Sequence, residues 1–186
     1  PTKVDRSAAY MLEQIHHILP LVKEETGVDI RFLAAIRRIP LTLVKDNITA
    51  GNYLTEAIQA LKVVCRDPYV VGSDFVGEEI NDIGELKAVI REIVTQIASQ
   101  DKNWTIRIHA GENDSLKGNM AKAIALVEEA LLPGQRFPYL RIGHGLYCAK
   151  LNSRQGQELL AKIKEHDIVL EFQLTSNVRL NNLIEL

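Results

Sequence analysis

Apolar and polar residues follow one another along this chain in two periods, one typical of amphipathic helices and one typical of short strands. The segments with helical spacing cover residues 8–25, 52–66, 83–100, 119–132 and 154–165. The strand-like apolar runs cover residues 28–39, 69–76, 104–108, 140–142 and 168–174. The centre of the first run also fits a helix. The pattern therefore predicts helices and strands that alternate through the whole chain.

Strict alternation with short connections predicts a parallel sheet with right-handed crossovers, and two architectures of this kind compete. A doubly wound nucleotide-binding sheet needs a glycine-rich phosphate loop, and neither G-x-G-x-x-G nor a P-loop occurs in the sequence. A (β/α)8 barrel instead carries polar functional residues after successive strands. We therefore predict an α/β fold, a partial TIM-type (β/α) barrel of about five parallel strands alternating with helices, in a single domain over residues 1–186.

Polar residues of this kind follow four of the predicted strands. They are Asp74, His109, Glu112, His144, Thr175, Ser176 and Asn177. The longest predicted loops cover residues 40–51 and 111–118, and the second follows the strand that ends near His109. Because active-site loops of a barrel lie at the carboxyl ends of its strands, the chemistry is expected there.

Composition narrows the classes of partner. The formal charge of -2 and the pI near 6.3 leave no basic excess to neutralise phosphates, which argues against nucleic acid and acidic membranes as partners. No apolar run is long enough to span a bilayer. Cys65 and Cys148 show no zinc-type spacing and favour a reduced, cytoplasmic protein.

Two histidines and one glutamate are the candidate chemical groups. His109, near a strand end, is a candidate Zn²⁺ ligand, although a histidine there also serves to hydrogen-bond a neighbouring loop. Glu112 is a candidate general acid that protonates a ring nitrogen, and its alternative is a solvent-facing loop residue. His144, between two glycines, is a candidate for orienting an attacking water, against the alternative of a buried and hydrogen-bonded rim histidine.

Asp74 and Gly77 are the candidate substrate-binding residues at the end of the preceding strand. A glycine at this place lets a planar ring approach the backbone and receive a hydrogen bond from its amide. Simple termination of the strand explains Gly77 equally well.

Four ordered segments resemble the adenosine deaminase family of the amidohydrolase superfamily. They are GSDFVGEE (72–79), HAGE (109–112), RIGHG (141–145) and LEFQLTSNV (170–178). The resemblance implies hydrolytic deamination of a purine nucleoside on a TIM-type barrel with one zinc ion. It implies that His109 binds zinc, Glu112 protonates the purine, His144 positions the hydroxide and the amide of Gly77 donates to the purine.

The sequence also departs from that family. The H-x-H that supplies two further zinc ligands is absent, and so is the pair of aspartates after the last strand. We therefore expect a middle-to-C-terminal part of a barrel that lacks the first two strands and the last. It should be inactive alone, and self-association or the missing part of the barrel should cover its open edges.

Two other functions stay open. The first is a non-catalytic deaminase-like module that binds a nucleoside or only assembles with a partner. The second is another amidohydrolase that acts on a different amine or amide. The sequence does not specify whether a nucleoside, a deoxynucleoside, a modified base or a nucleotide is preferred.

Overall fold

A computed structural model describes residues 3–40, 50–101 and 103–179 of the chain, so most of the loop predicted over residues 40–51 lies outside the described residues. The helices, in chain order, are α1 Lys3–Thr26, α2 Ala50–Val64, α3 Lys87–Glu92, α4 Asn119–Ala130, α5 Arg154–Glu165 and α6 Leu174–Arg179. The strands are β1 Phe32–Arg37, β2 Val70–Val76, β3 Thr105–Ala110, β4 Tyr139–His144 and β5 Val169–Glu171. The predicted alternation of helices and strands is confirmed.

Most predicted elements differ from the observed ones by a few residues in their bounds, and two differ in the type of secondary structure over part of their length. The helix expected over residues 83–100 is helical over Ile83–Ala98, but it starts as a 3₁₀ helix and ends in a π-helical segment at Ile93–Ala98 on either side of α3. The strand expected over residues 168–174 stops at Glu171, and Leu174 begins α6. Glu171 pairs with Gly143, one residue before β4 ends, so little of β4 remains for β5 to pair with further along.

The five strands form one parallel sheet in the order β1-β2-β3-β4-β5. Each strand therefore lies beside its neighbour in the sequence. A doubly wound sheet reverses this order at a switch point, whereas a barrel keeps it, so the order is consistent with a partial (β/α) barrel. Within the described part of the chain, β1 and β5 are the two edges of the sheet.

The two faces of the sheet differ in polarity, and β3 shows why. Ile106, Ile108 and Ala110 are fully buried, while Arg107 and His109 point to the opposite face and are only half-buried. The buried set continues through the neighbouring strands and packs with apolar residues of the helices into one core. The helices therefore cover the apolar face, and the other face carries the polar side chains.

Helix α1 is the longest helix, and it combines many charged and polar residues with few buried ones. Among residues 3–40, 50–101 and 103–179, no helix has both the length and the apolar character that a membrane crossing requires.

Candidate functional site

The carboxyl end of the sheet brings together the residues that the sequence singled out. Asp74 lies within β2, and Gly77 directly follows that strand. His109 lies in β3, Glu112 lies in the loop after it, and His144 is the last residue of β4. Because the paired strands are parallel and in register from Thr105 onward, their carboxyl ends meet at one edge of the sheet.

His109, Glu112 and His144 lie in direct proximity. The two imidazole rings are 5.1 Å apart between centroids, at an interplanar angle of 64°. The Glu112 Oε1 atom is 3.5 Å from His144 Nε2, and the Glu112 side chain is only 18% exposed. Glu112 is therefore a half-buried residue that faces His144 and not a solvent-facing loop residue.

His144 is buried and is oriented by a residue distant in sequence. Its Nδ1 atom lies 2.9 Å from the Oδ1 atom of the fully buried Asn177 of α6, and this leaves Nε2 directed to Glu112. Its φ of 73° is unusual for a residue other than glycine, and Gly145 follows with a φ of 60°. Burial lowers the pKa of His144, in opposition to the nearby charge of Glu112, so the neutral imidazole is favoured.

Asn177 is therefore part of the site, but from a helix and not from a strand end as predicted. Thr175 and Ser176 lie on the same helix, α6. The three residues follow the last described strand as predicted, but they lie in a helix, and of the three Asn177 makes the contact with His144.

Glu79 organises the loop that carries Glu112, although no sequence pattern assigned it a role of its own. Its carboxylate accepts hydrogen bonds from the backbone N–H groups of Gly111, Glu112 and Asn113, at 2.6, 2.9 and 2.7 Å. The Glu79 side chain is buried, with the residue 4% exposed. A buried carboxylate that accepts three backbone hydrogen bonds fixes the path of the loop and with it the position of Glu112. Its place in the segment GSDFVGEE was the available signal.

The backbone of Arg38 lies so close to Gly77 that it leaves no room for a side chain there. Its φ is 104°, and a Cβ atom at this residue would lie 2.9 Å from the carbonyl oxygen of Arg38. The buried guanidinium of Arg38 in turn donates a hydrogen bond to the carbonyl oxygen of His109. Burial lowers the pKa of Arg38, against the nearby charges of Glu79, Asp82 and Glu112. Close approach of the backbone therefore explains this glycine independently of any ligand.

Asp74 is engaged by other side chains of the polar face. Its Oδ2 atom accepts a hydrogen bond from Arg107 Nη1 at 2.7 Å, and its Oδ1 atom lies 3.4 Å from His109 Nε2. Burial by itself would raise the pKa of the Asp74 carboxyl, but the contacts with His109 and Arg107 outweigh it and lower the pKa. Its predicted role in binding a substrate requires a change in these contacts.

His109 also has a partner for the nitrogen that faces the site. Arg107 Nη1 lies 2.7 Å from His109 Nε2. A guanidinium only donates hydrogen bonds, so a hydrogen bond between these two atoms requires His109 Nε2 as the acceptor, which is the tautomer with its proton on Nδ1. The lone pair that would bind a metal is therefore directed at a cation.

The described residues do not fit a zinc ion as they are placed. Within residues 3–40, 50–101 and 103–179, no group of three or more His, Cys, Asp or Glu side chains is arranged to hold a metal. A zinc site usually has at least three protein ligands. His109 would need further ligands from outside the described residues and would have to lose its contact with Arg107.

Comparison with known proteins adds no relative. No protein-family model, curated protein or solved structure matches the chain. The chemistry of the site is therefore judged from the geometry of its own residues.

Proposed function

We propose that this chain forms part of a zinc-dependent purine nucleoside deaminase, which hydrolyses adenosine or a related aminopurine and releases ammonia. One observation carries the proposal: the carboxylate of Glu112 lies 3.5 Å from His144 Nε2, beside His109, at the carboxyl end of a parallel sheet. This separation exceeds the direct hydrogen-bond distance of about 2.6–3.2 Å, so the two groups are placed to act on a shared water or substrate atom and not on each other. The resemblance of the four segments in the sequence supports the same reaction.

The reaction needs two proton-handling groups. Water adds to the ring carbon that carries the amine, one of its protons ends on the neighbouring ring nitrogen and the other on the amine, and the C–N bond breaks to release ammonia as the ring carbonyl forms. In the proposal Glu112 delivers the ring proton, because its carboxyl group is only 18% exposed and lies beside His144 at the carboxyl end of the sheet. His144 orients the attacking water through Nε2, since Asn177 holds the other nitrogen. The amide of Gly77 is proposed to contact the purine ring.

Zinc is part of the proposal through His109 alone. An imidazole nitrogen is an ordinary zinc donor, and the ion would supply activation of the water. The remaining ligands are proposed to come from outside the described residues, from another part of the protein or from a second copy.

Self-association and a cytoplasmic location belong to the same proposal. Static light scattering tests the first, and cell fractionation tests the second.

The test is release of ammonia from a panel of aminopurine nucleosides by the protein that contains this chain, with its zinc content measured in parallel. Glu112→Gln should abolish turnover while the zinc content is unchanged. Glu165→Gln, an exposed change at the end of α5, is the matched control and should keep full activity. Turnover that survives in Glu112→Gln would exclude Glu112 as the general acid.

A second candidate is a non-catalytic module that binds a nucleoside, and a specific observation favours it. The hydrogen bond from Arg107 to His109 Nε2 leaves that imidazole without a free lone pair for zinc. Binding measured by calorimetry separates the two functions. A module binds an aminopurine nucleoside without turnover and keeps its affinity in His109→Ala, whereas the enzyme loses both zinc and activity.

A further inference from the structure

We infer that Arg107 takes the place of a bound metal cation on the polar face of the sheet, and that it excludes divalent cations from His109 as long as it stays there. The inference rests on the geometry around Arg107 and does not depend on the proposed deaminase activity. It concerns Asp74, His109 and Glu171, whose carboxylate oxygens and imidazole nitrogen are common zinc ligands.

The guanidinium of Arg107 holds one donor atom of each of these three residues. Nη1 lies 2.7 Å from Asp74 Oδ2 and 2.7 Å from His109 Nε2, and Nε lies 2.7 Å from Glu171 Oε2. The Arg107 side chain is only 16% exposed, and those of Asp74 and Glu171 are similarly covered. Three potential ligands thus converge on one positive group.

The distance between His109 and the second carboxylate oxygen of Asp74, which Arg107 does not contact, suits a metal ion. Asp74 Oδ1 and His109 Nε2 are 3.4 Å apart. Two ligands of one tetrahedral zinc, each at about 2.0–2.2 Å, are separated by about this distance. Glu171 contacts Nε of the guanidinium and not Nη1, and within the described ranges no group of three side chains is arranged to hold a metal.

The strand geometry places Arg107 in this position. Residues two apart on a strand point to the same face, so Arg107 lies next to His109 on β3. Register pairs Arg107 with Asp74 on one side, and Gly143 opposes His109 on the other. A Cβ atom at Gly143 would lie 3.2 Å from His109 Cδ2 and 3.4 Å from Arg107 Nη2, so the glycine leaves room for both side chains.

Charge explains why the ion and the arginine exclude each other. Asp74 and Glu171 are neutralised by Arg107 together with Arg141, which also pairs with Glu171. A divalent cation at His109 would add two positive charges within hydrogen-bond distance of a guanidinium that keeps its own charge. The ion can therefore enter only if Arg107 leaves.

The experiment titrates Co²⁺ into the 186-residue protein, because a four-coordinate Co²⁺ site with protein ligands has a visible absorption band. The wild type and Arg107→Lys should show no band that depends on His109. Arg107→Met should bind Co²⁺ at least about tenfold more tightly than Arg107→Lys, because it lacks the competing positive charge. The absorption band that Arg107→Met gains should disappear in the double variant Arg107→Met with His109→Ala. Surface histidines are the same in both proteins, so this comparison assigns the band to His109.

Two results would overturn the inference. The first is a Co²⁺ band in the wild type that His109→Ala abolishes, and this comparison stands even if Arg107→Met fails to fold. The second is equal Co²⁺ affinity of folded Arg107→Met and Arg107→Lys. The absorption band needs no turnover, so a lack of deaminase activity does not affect the result. A wild type that binds no Co²⁺ does not contradict the proposed deaminase. In that proposal further ligands from elsewhere in the protein bind the ion, and the ion then displaces Arg107 from His109.

Discussion

Replacing Glu79 should detach the loop that carries Glu112 from the body of the sheet. The carboxylate of Glu79 is the acceptor for three consecutive backbone N–H groups, those of Gly111, Glu112 and Asn113. Gly111 has a φ of 79°, so the loop turns sharply at the point where these hydrogen bonds begin. Loss of the acceptor removes the interaction that holds this turn.

The structure sets the magnitude of the effect. A hydrogen bond to a charged group contributes about 1.5–3 kcal/mol, and a buried donor left without an acceptor costs about 1–3 kcal/mol. Glu79→Gln keeps one acceptor oxygen but places an NH₂ group against at least one backbone N–H. We expect Glu79→Gln to lower the free energy of unfolding by about 1–3 kcal/mol. Glu79→Ala, which removes all three acceptor contacts, should lower it by about 3 kcal/mol or more, because three backbone N–H groups each lose an acceptor at a cost of about 1–3 kcal/mol.

Urea unfolding followed by circular dichroism measures this change, and Glu78 provides the control. Glu78 is the exposed neighbour of the buried Glu79, so Glu78→Gln should change the free energy of unfolding by less than about 0.5 kcal/mol. Amide hydrogen exchange at residues 111–113 should accelerate in Glu79→Gln and stay unchanged in Glu78→Gln. Equal unfolding free energies for Glu79→Gln and the wild type, with unchanged protection of these amides, would refute this explanation of the loop.

Three further changes test other contacts of the site. Folding lowers the pKa of Asp74 below its ordinary value of 3.8, so the ionised carboxylate stabilises the fold above that pH. This contribution is lost as the pH falls through the folded pKa. Asp74→Asn should therefore make the free energy of unfolding depend less on pH in the acid range. Gly77→Ala should lower the free energy of unfolding in urea by about 2–4 kcal/mol. Gly134→Ala should lower it by only about 1–2 kcal/mol, because Gly134 also has a positive φ but has open space around it. Burial holds the pKa of His144 below its usual value, and Asn177→Ala, which removes an opposing hydrogen bond, should lower it further in an NMR titration; an unchanged pKa would contradict that contact.

The periodicity of the sequence was sufficient for the fold class. Apolar residues at helical and strand spacing report which side of each element is buried, and this is a local property of the chain. The alternation of elements then left few topologies, so the parallel sheet in sequential order followed from general rules of connection. Local patterns likewise placed His109, Glu112 and His144 at the ends of successive strands.

The hydrogen bonds of the site were decided only by the tertiary structure. Glu79 and the loop at Gly111 are 32 residues apart, and His144 and Asn177 are 33 apart. Whether such side chains meet depends on strand register and on the path of each loop, and no spacing along the chain reports either. Arg107 shows the same limit at close range. Its place two residues before His109 predicts a shared face, but the guanidinium is also held by Asp74 on β2 and by Glu171 on β5, and spacing along the chain reports neither contact.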